Sequence, residues 1–241
     1  GLAEELKDLI RGKSAKATEL VGGVTDWLDR MVEHIVRRPG TLLWNEMKAD
    51  AHDAFARKGA GTESLKYFIQ ALNLSAQGSA KTIHLAGHST GAVLFAHLLD
   101  AFKNHDLLVD SCTLMAPAWS LDLYHKTYHR ILDNKHKLRI GHMDILNLKD
   151  KLERDDVVGS KLAYRKSLLY LVSNAFEKDK GLPILGMEKF VKDVKASAIP
   201  ANFHYSNGVS GNKTRSTTHG GFDNDIHSMN HILRTILGGA P

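Results

Sequence analysis

Ser89 is the residue whose surroundings specify chemistry most clearly. It stands in Gly87-His88-Ser89-Thr90-Gly91, a G-x-S-x-G pattern. Before it runs a short apolar, β-leaning segment, Thr82 to Ala86; after it, Ala92 to Leu99 reads as a buried helix. Strand, tight turn and helix is the context in which this pattern lifts a serine hydroxyl out at the carboxyl edge of a sheet. Glycine is expected on either side because side chains there would collide with the strand and the helix. A serine hydroxyl is a poor nucleophile until a base removes its proton. The chemistry expected is therefore nucleophilic catalysis, and the chain must also supply a base and a carboxylate to orient it.

The chain has 14 histidines, so position has to select the base. Sites in open α/β sheets form at the carboxyl ends of strands. His219 follows the last strand candidate, Ala201 to Tyr205, and lies in Thr217-Thr218-His219-Gly220-Gly221-Phe222, where two glycines allow a tight loop. The acid should follow the strand candidate Asp144 to Leu148, where Asp150, Asp155 and Asp156 compete. Asp155 is preferred: the small apolar pair Val157-Val158 just beyond it can seat a carboxylate against the core. Asp150 is closer to the strand end, and Asp156 stays open as the third choice. Whichever two are not used belong to a solvated charged loop, Lys149 to Asp156.

The elements that must position these residues follow from apolar spacing. Leu2 to Val36 is mostly helical in pattern, with Gly22-Gly23 a point where it can break in two. Arg37-Arg38-Pro39-Gly40 reads as a turn. Thr41 to Arg57 and Thr62 to Leu74 read as further helices, and Ser75 to Ala80 as a linker of small residues. Beyond the serine come the strand candidate Cys112 to Ala116, stopped by Pro117, a helix Ser167 to Phe176 and a closing helix Ile226 to Leu237. Strands alternating with helices predict an α/β fold, a mostly parallel sheet flanked by helices. The organisation expected is a helical segment, residues 1–80, packed on the sheet, and an α/β core over 81–241. A long insert around 160–195, with Leu168 to Val172, either roofs an apolar pocket or covers the sheet. Only one strand candidate precedes residue 88. The expectation is therefore that the first strands of the sheet lie on a segment outside this chain.

Composition excludes some classes. Of the 241 residues, 43% are hydrophobic and 24% charged, as in an ordinary globular protein. No apolar run approaches the roughly 18 residues that span a bilayer, and Gly1 to Glu5 does not open a signal peptide. A cytoplasmic location is expected. Cys112, the one cysteine, rules out an internal disulfide and reads as a buried, inert thiol. The net charge of +5 comes from basic residues interleaved with acids, which predicts a solvated surface and no nucleic-acid partner.

Gly87 to Gly91, Leu114-Met115-Ala116-Pro117-Ala118, the acid before Val157-Val158, and His219-Gly220 together resemble the α/β-hydrolase superfamily, on its esterase and lipase side. The order serine, acid, histidine is that of the superfamily. The resemblance covers about residues 81–240 and implies an α/β-hydrolase fold and an acyl-enzyme mechanism on esters or related acyl bonds. In it Ser89, Asp155 and His219 form the triad and the backbone N–H of Thr90 is one oxyanion donor. It implies a small-molecule or lipid-like acyl substrate and no cofactor or metal. The second oxyanion donor would come from a glycine-containing loop after an earlier strand, which this chain lacks. A separate N-terminal segment completing the sheet is the further partner expected.

Two rival readings follow from other residues. A fold retained as a partner-binding scaffold would explain the absent oxyanion loop. His227 and His231, four apart beside Asp223 and Asp225, could present a metal from one helix face. His125 and His129 share that spacing but lie in a polar, surface-like stretch. Gly208 to Thr214 fails the phosphate-loop spacing.

Overall fold

The computed structural model describes residues 15–75, 81–159, 164–192, 199–209 and 213–238. Helix α1 spans Ala15–Ala54 and α2 spans Ala60–Ser75. Strand β1, His84–His88, leads through Ser89 and Thr90 into α3, Gly91–Phe102. Strand β2, Leu108–Met115, is followed by two short helices, α4 (Leu121–Lys126) and α5 (Tyr128–Leu132). Strand β3, Arg139–Leu148, runs into α6, Asp150–Asp155. Next come α7 (Leu168–Leu171), which continues as a π-turn over Val172–Phe176, then α8 (Glu188–Val191) and β4 (Asn202–Ser206). A 3-10 turn, His219–Asn224, precedes α9, Ile226–Ile236. The helical pattern before residue 15 and nearly all of the linker after Ser75 lie outside the described residues.

The four strands form one parallel sheet in the order β1-β2-β3-β4. An α/β architecture is therefore present, as the alternation of strands and helices predicts. Burial tells centre from edge. The last five residues of β2 and the last six of β3 are all buried, the signature of strands covered on both faces. Strands β1 and β4 are half-buried, as edges should be. Among the described residues no strand pairs with the outer side of β1, so the serine-bearing strand is an edge strand.

One face of the sheet packs Cys112, Leu114, Met143 and Ile145 against Ala92, Val93, Ala96 and Leu99 of α3 and against Tyr124, Tyr128 and Ile131. Each large side chain buried there contributes roughly 1.5–3 kcal/mol. The Tyr128 hydroxyl donates to the Ala92 carbonyl at 2.7 Å, so this ring is buried without an orphaned polar end. Burial pushes the Cys112 thiol up to about 12, which makes it inert as expected. The other face packs Met115, Leu146 and Leu148 against Trp44, Leu169, Val172, Phe222 and Ile232.

Two expectations are corrected here, the broken helix and the charged loop, and the insert takes one of its two expected forms. Helix α1 runs through both Gly22-Gly23 and Pro39-Gly40. Proline removes one helical hydrogen bond, but contacts with the π-turn brace the segment on either side of it. Arg37 donates to the carbonyls of Asn174 and Lys178, and Thr41 to that of Ala175. Gly40 lets Phe176 approach so closely that a Cβ would lie 2.3 Å from its ring. The stretch from Lys149 to Asp156 is not a loop but contains α6, whose Glu153 faces the core. The insert, described from 164 to 192, covers the sheet together with α1. Trp44 and Lys48 of α1 both bind Glu177, at 2.8 and 2.9 Å, and Leu169 to Val172 are buried.

Candidate active site

Ser89 leaves β1 with φ 53°, in the left-handed region that side chains other than glycine rarely adopt. The strain is held from both sides. The Ser89 N–H donates to the Met115 carbonyl at 2.8 Å, and the Ala118 N–H donates to the Ser89 carbonyl at 3.0 Å. The chain then enters α3, with Thr90 at its amino end. The two flanking glycines have different reasons. A Cβ on Gly87 would meet Phe95 at 2.8 Å, but one on Gly91 would meet nothing within 4 Å. The expected collision therefore applies to Gly87 alone, and Gly91 faces open space.

The loop before α9 brings His219 to this serine. His219 Nε2 lies 2.9 Å from Ser89 Oγ, although 130 residues separate the two. The loop is stitched by side chains. Ser206 Oγ donates to the Ser216 carbonyl, and Ser216 Oγ donates to that of Thr218. Asp225 caps α9 by accepting from the backbone of His227 and Ser228, and also takes the Arg215 N–H. Gly221 is required because a Cβ there would lie 2.6 Å from Ser216 Oγ. His88 adds a further tie, with its Nε2 donating to the His219 carbonyl at 2.8 Å.

The carboxylate that touches His219 is that of Asp156, whereas the expected Asp155 lies away from it. Asp155 ends α6 exposed to solvent. Asp150 accepts from the Tyr170 hydroxyl at 2.7 Å and pairs with Arg154 at 3.1 Å. Asp156 follows the helix in extended conformation, and its buried carboxylate accepts the His219 backbone N–H at 2.7 Å and the Val157 N–H at 2.8 Å. It does not bond the imidazole. His219 Nδ1 is buried without a hydrogen-bond partner. Burial, and then the charge of the nearby His88, lower the His219 imidazole to about 3. The imidazole is therefore neutral and its Nε2 is open to the serine proton, but a value this low makes it a weak base until a counter-charge reaches Nδ1.

Helix α1, which carries no motif, supplies one wall of a hollow that reaches Thr90, the residue after the serine. Met47, Asp50, Ala51 and Ala54 of α1, with Thr90, Gly91, Val93 and Leu94, line a cavity of about 350 Å3. Its walls are mostly apolar. The apolar spacing of residues 41–57 predicts a helix there, and it carries no signal for the face that meets α3.

The two metal-spaced histidines are engaged separately. The Arg215 guanidinium donates to His227 Nε2 at 2.6 Å, whereas His231 Nε2 lies 2.9 Å from Asp144. His125 and His129 stay at the surface, their Nδ1 atoms 2.9 Å apart. Among the described residues no helix is long and apolar enough to cross a membrane. Comparisons with protein-family models, with curated proteins and with solved structures find no match.

Proposed function

We propose that the chain is a serine hydrolase of α/β-hydrolase type, cleaving carboxylic esters or related acyl bonds. The observation that carries the reading is the 2.9 Å contact of Ser89 Oγ with His219 Nε2, made by a serine in a left-handed strand-to-helix turn. Ser89 Oγ attacks the substrate carbonyl carbon while its proton passes to His219 Nε2. His219 returns that proton to the leaving alcohol or amine, and water then releases the acyl group by the same route. The imidazolium formed in between needs a counter-charge. Turning one Asp156 oxygen from the backbone N–H onto Nδ1 supplies it. The Thr90 N–H, at the positive end of α3, stabilises the oxyanion. The hollow between α1 and α3 takes the acyl chain, which favours a small-molecule or lipid-like ester.

The test is hydrolysis of a series of p-nitrophenyl acyl esters. Wild type should turn over the shorter esters, and Ser89→Ala should fall to background, by about 10⁴-fold or more. Equal rates in the two proteins would refute the reading. One observation favours a second reading, a fold kept for binding: the bare Nδ1 of His219. That reading predicts a well-folded wild type that binds an ester without turning it over.

A further inference from the structure

We propose that Asp144, His204 and His231 bind one divalent transition-metal ion, of which zinc is the type. The three residues come from three elements, β3, β4 and α9. Their ligand atoms all lie within 4.8 Å of one another. Asp144 Oδ1 is 3.0 Å from His204 Nε2, and Oδ2 is 2.9 Å from His231 Nε2. Bonds of about 2.1 Å from one ion to nitrogen and oxygen donors place adjacent donors about 3.0–3.4 Å apart, depending on geometry. The observed spacings, 3.0 and 2.9 Å, lie at and just below the short end of that range.

Charge points the same way. The Asp144 side chain is 1% exposed and that of His231 4%. A buried carboxylate needs a paired cation or a metal. Among the described residues, the ion-pair partners of Asp144 are three histidines, and no lysine or arginine pairs with it. Two imidazoles with one carboxylate suit zinc and its neighbours rather than calcium or magnesium, which prefer oxygen donors. His142 Nε2, 2.9 Å from Asp144 Oδ2, holds the carboxylate in position from outside the trio. His142 and His204 also line a cavity of about 630 Å3, which gives an ion a way in. The register explains the gathering. His204 pairs with Leu146, Asn202 with Asp144, and His142 lies two residues from Asp144 on the same face.

The test titrates the metal-stripped full chain with Zn2+ against a chromophoric chelator, and with Co2+ by visible absorption. Wild type should bind one tight equivalent and give a Co2+ spectrum with imidazole ligation. His204→Gln and His231→Gln should each weaken binding by about 100-fold or more, and His142→Ala by about 10–100-fold. The double variant His125→Ala/His129→Ala should bind as wild type does. Loss of binding in that surface variant with retention in His204→Gln would overturn the proposal, as would a folded wild type without a tight equivalent. If His231→Gln does not fold, His204→Gln, on an edge strand, decides the matter together with the wild-type titration.

Discussion

Two places in this molecule combine buried histidine with aspartate, and they reach opposite electrostatic states. At Ser89 the histidine is the buried group left without a partner: His219 has an unpartnered Nδ1, and burial and His88 hold its imidazole low, at about 3. At Asp144 the buried carboxylate is fully partnered. Burial alone would raise it, but hydrogen bonds from His204, His231 and His142 together hold it well below the usual carboxylate range. The difference lies in where the carboxylate oxygens are spent. Asp156 gives both to backbone N–H groups, whereas Asp144 gives both to imidazoles. The first arrangement leaves a neutral base beside a hydroxyl. The second concentrates donors around a single point.

The comparison can be broken or sharpened by substitution. Among substitutions that separate the two regions, the largest effect is expected from Asp156→Ala. It removes the counter-charge for the imidazolium and frees the His219 backbone, so ester turnover should fall by about 10³–10⁴-fold, while the Asp144 cluster keeps its metal affinity. Loss of that affinity too would mean that the two regions are not separate. The pH response is the next test. The folded imidazole of His219 lies below its unfolded value of 6.5. Its contribution to stability is thus complete above 6.5 and is lost as pH falls from there towards 3. His219→Gln should remove that acid-side loss in a series of urea melts. A wild-type melt indifferent to pH between 6.5 and 4 would contradict the neutral, unpaired imidazole.

Glu153 sharpens the contrast from a third environment. It is buried, accepts from the Ser167 hydroxyl and leaves its other oxygen unpartnered. Burial is the main cause that pushes its carboxyl up to about 8. A raised carboxyl contributes stability below its unfolded value of 4.5, and loses it as pH rises through about 8. Glu153→Gln should therefore flatten the alkaline side of the stability curve, read as a higher melting temperature than wild type at pH about 9. The smallest effect is expected at the hollow. Ala54→Leu narrows it, which should shift ester preference to shorter chains by about 10-fold in kcat/KM per competing pair, with Ser89 reactivity unchanged.

Much of the scaffold was legible because its signals are local. The apolar runs at Cys112 and Asp144 lie inside β2 and β3, and the run at Ala92 lies inside α3. The G-x-S-x-G turn and the loop at His219 could be read the same way. What escaped depends on distance along the chain. The continuity of α1 past Pro39 rests on contacts with the π-turn more than 130 residues away. The choice of Asp156 over Asp155 turns on where α6 ends, a difference of one residue that no periodicity encodes. The Asp144 cluster gathers partners 60 and 87 residues distant. A signal existed there: in a strand, His142 and Asp144 must point to one face. His231 was visible only as a neighbour of His227, because helical spacing cannot tell which strand a face will meet.

The central claim is an activated serine, and fluorophosphonate labelling followed by intact mass measures it most directly. The account predicts one adduct on wild type and none on Ser89→Ala or His219→Ala, with all three proteins folded. A folded wild type that takes no adduct, or an adduct that survives in Ser89→Ala, would contradict it.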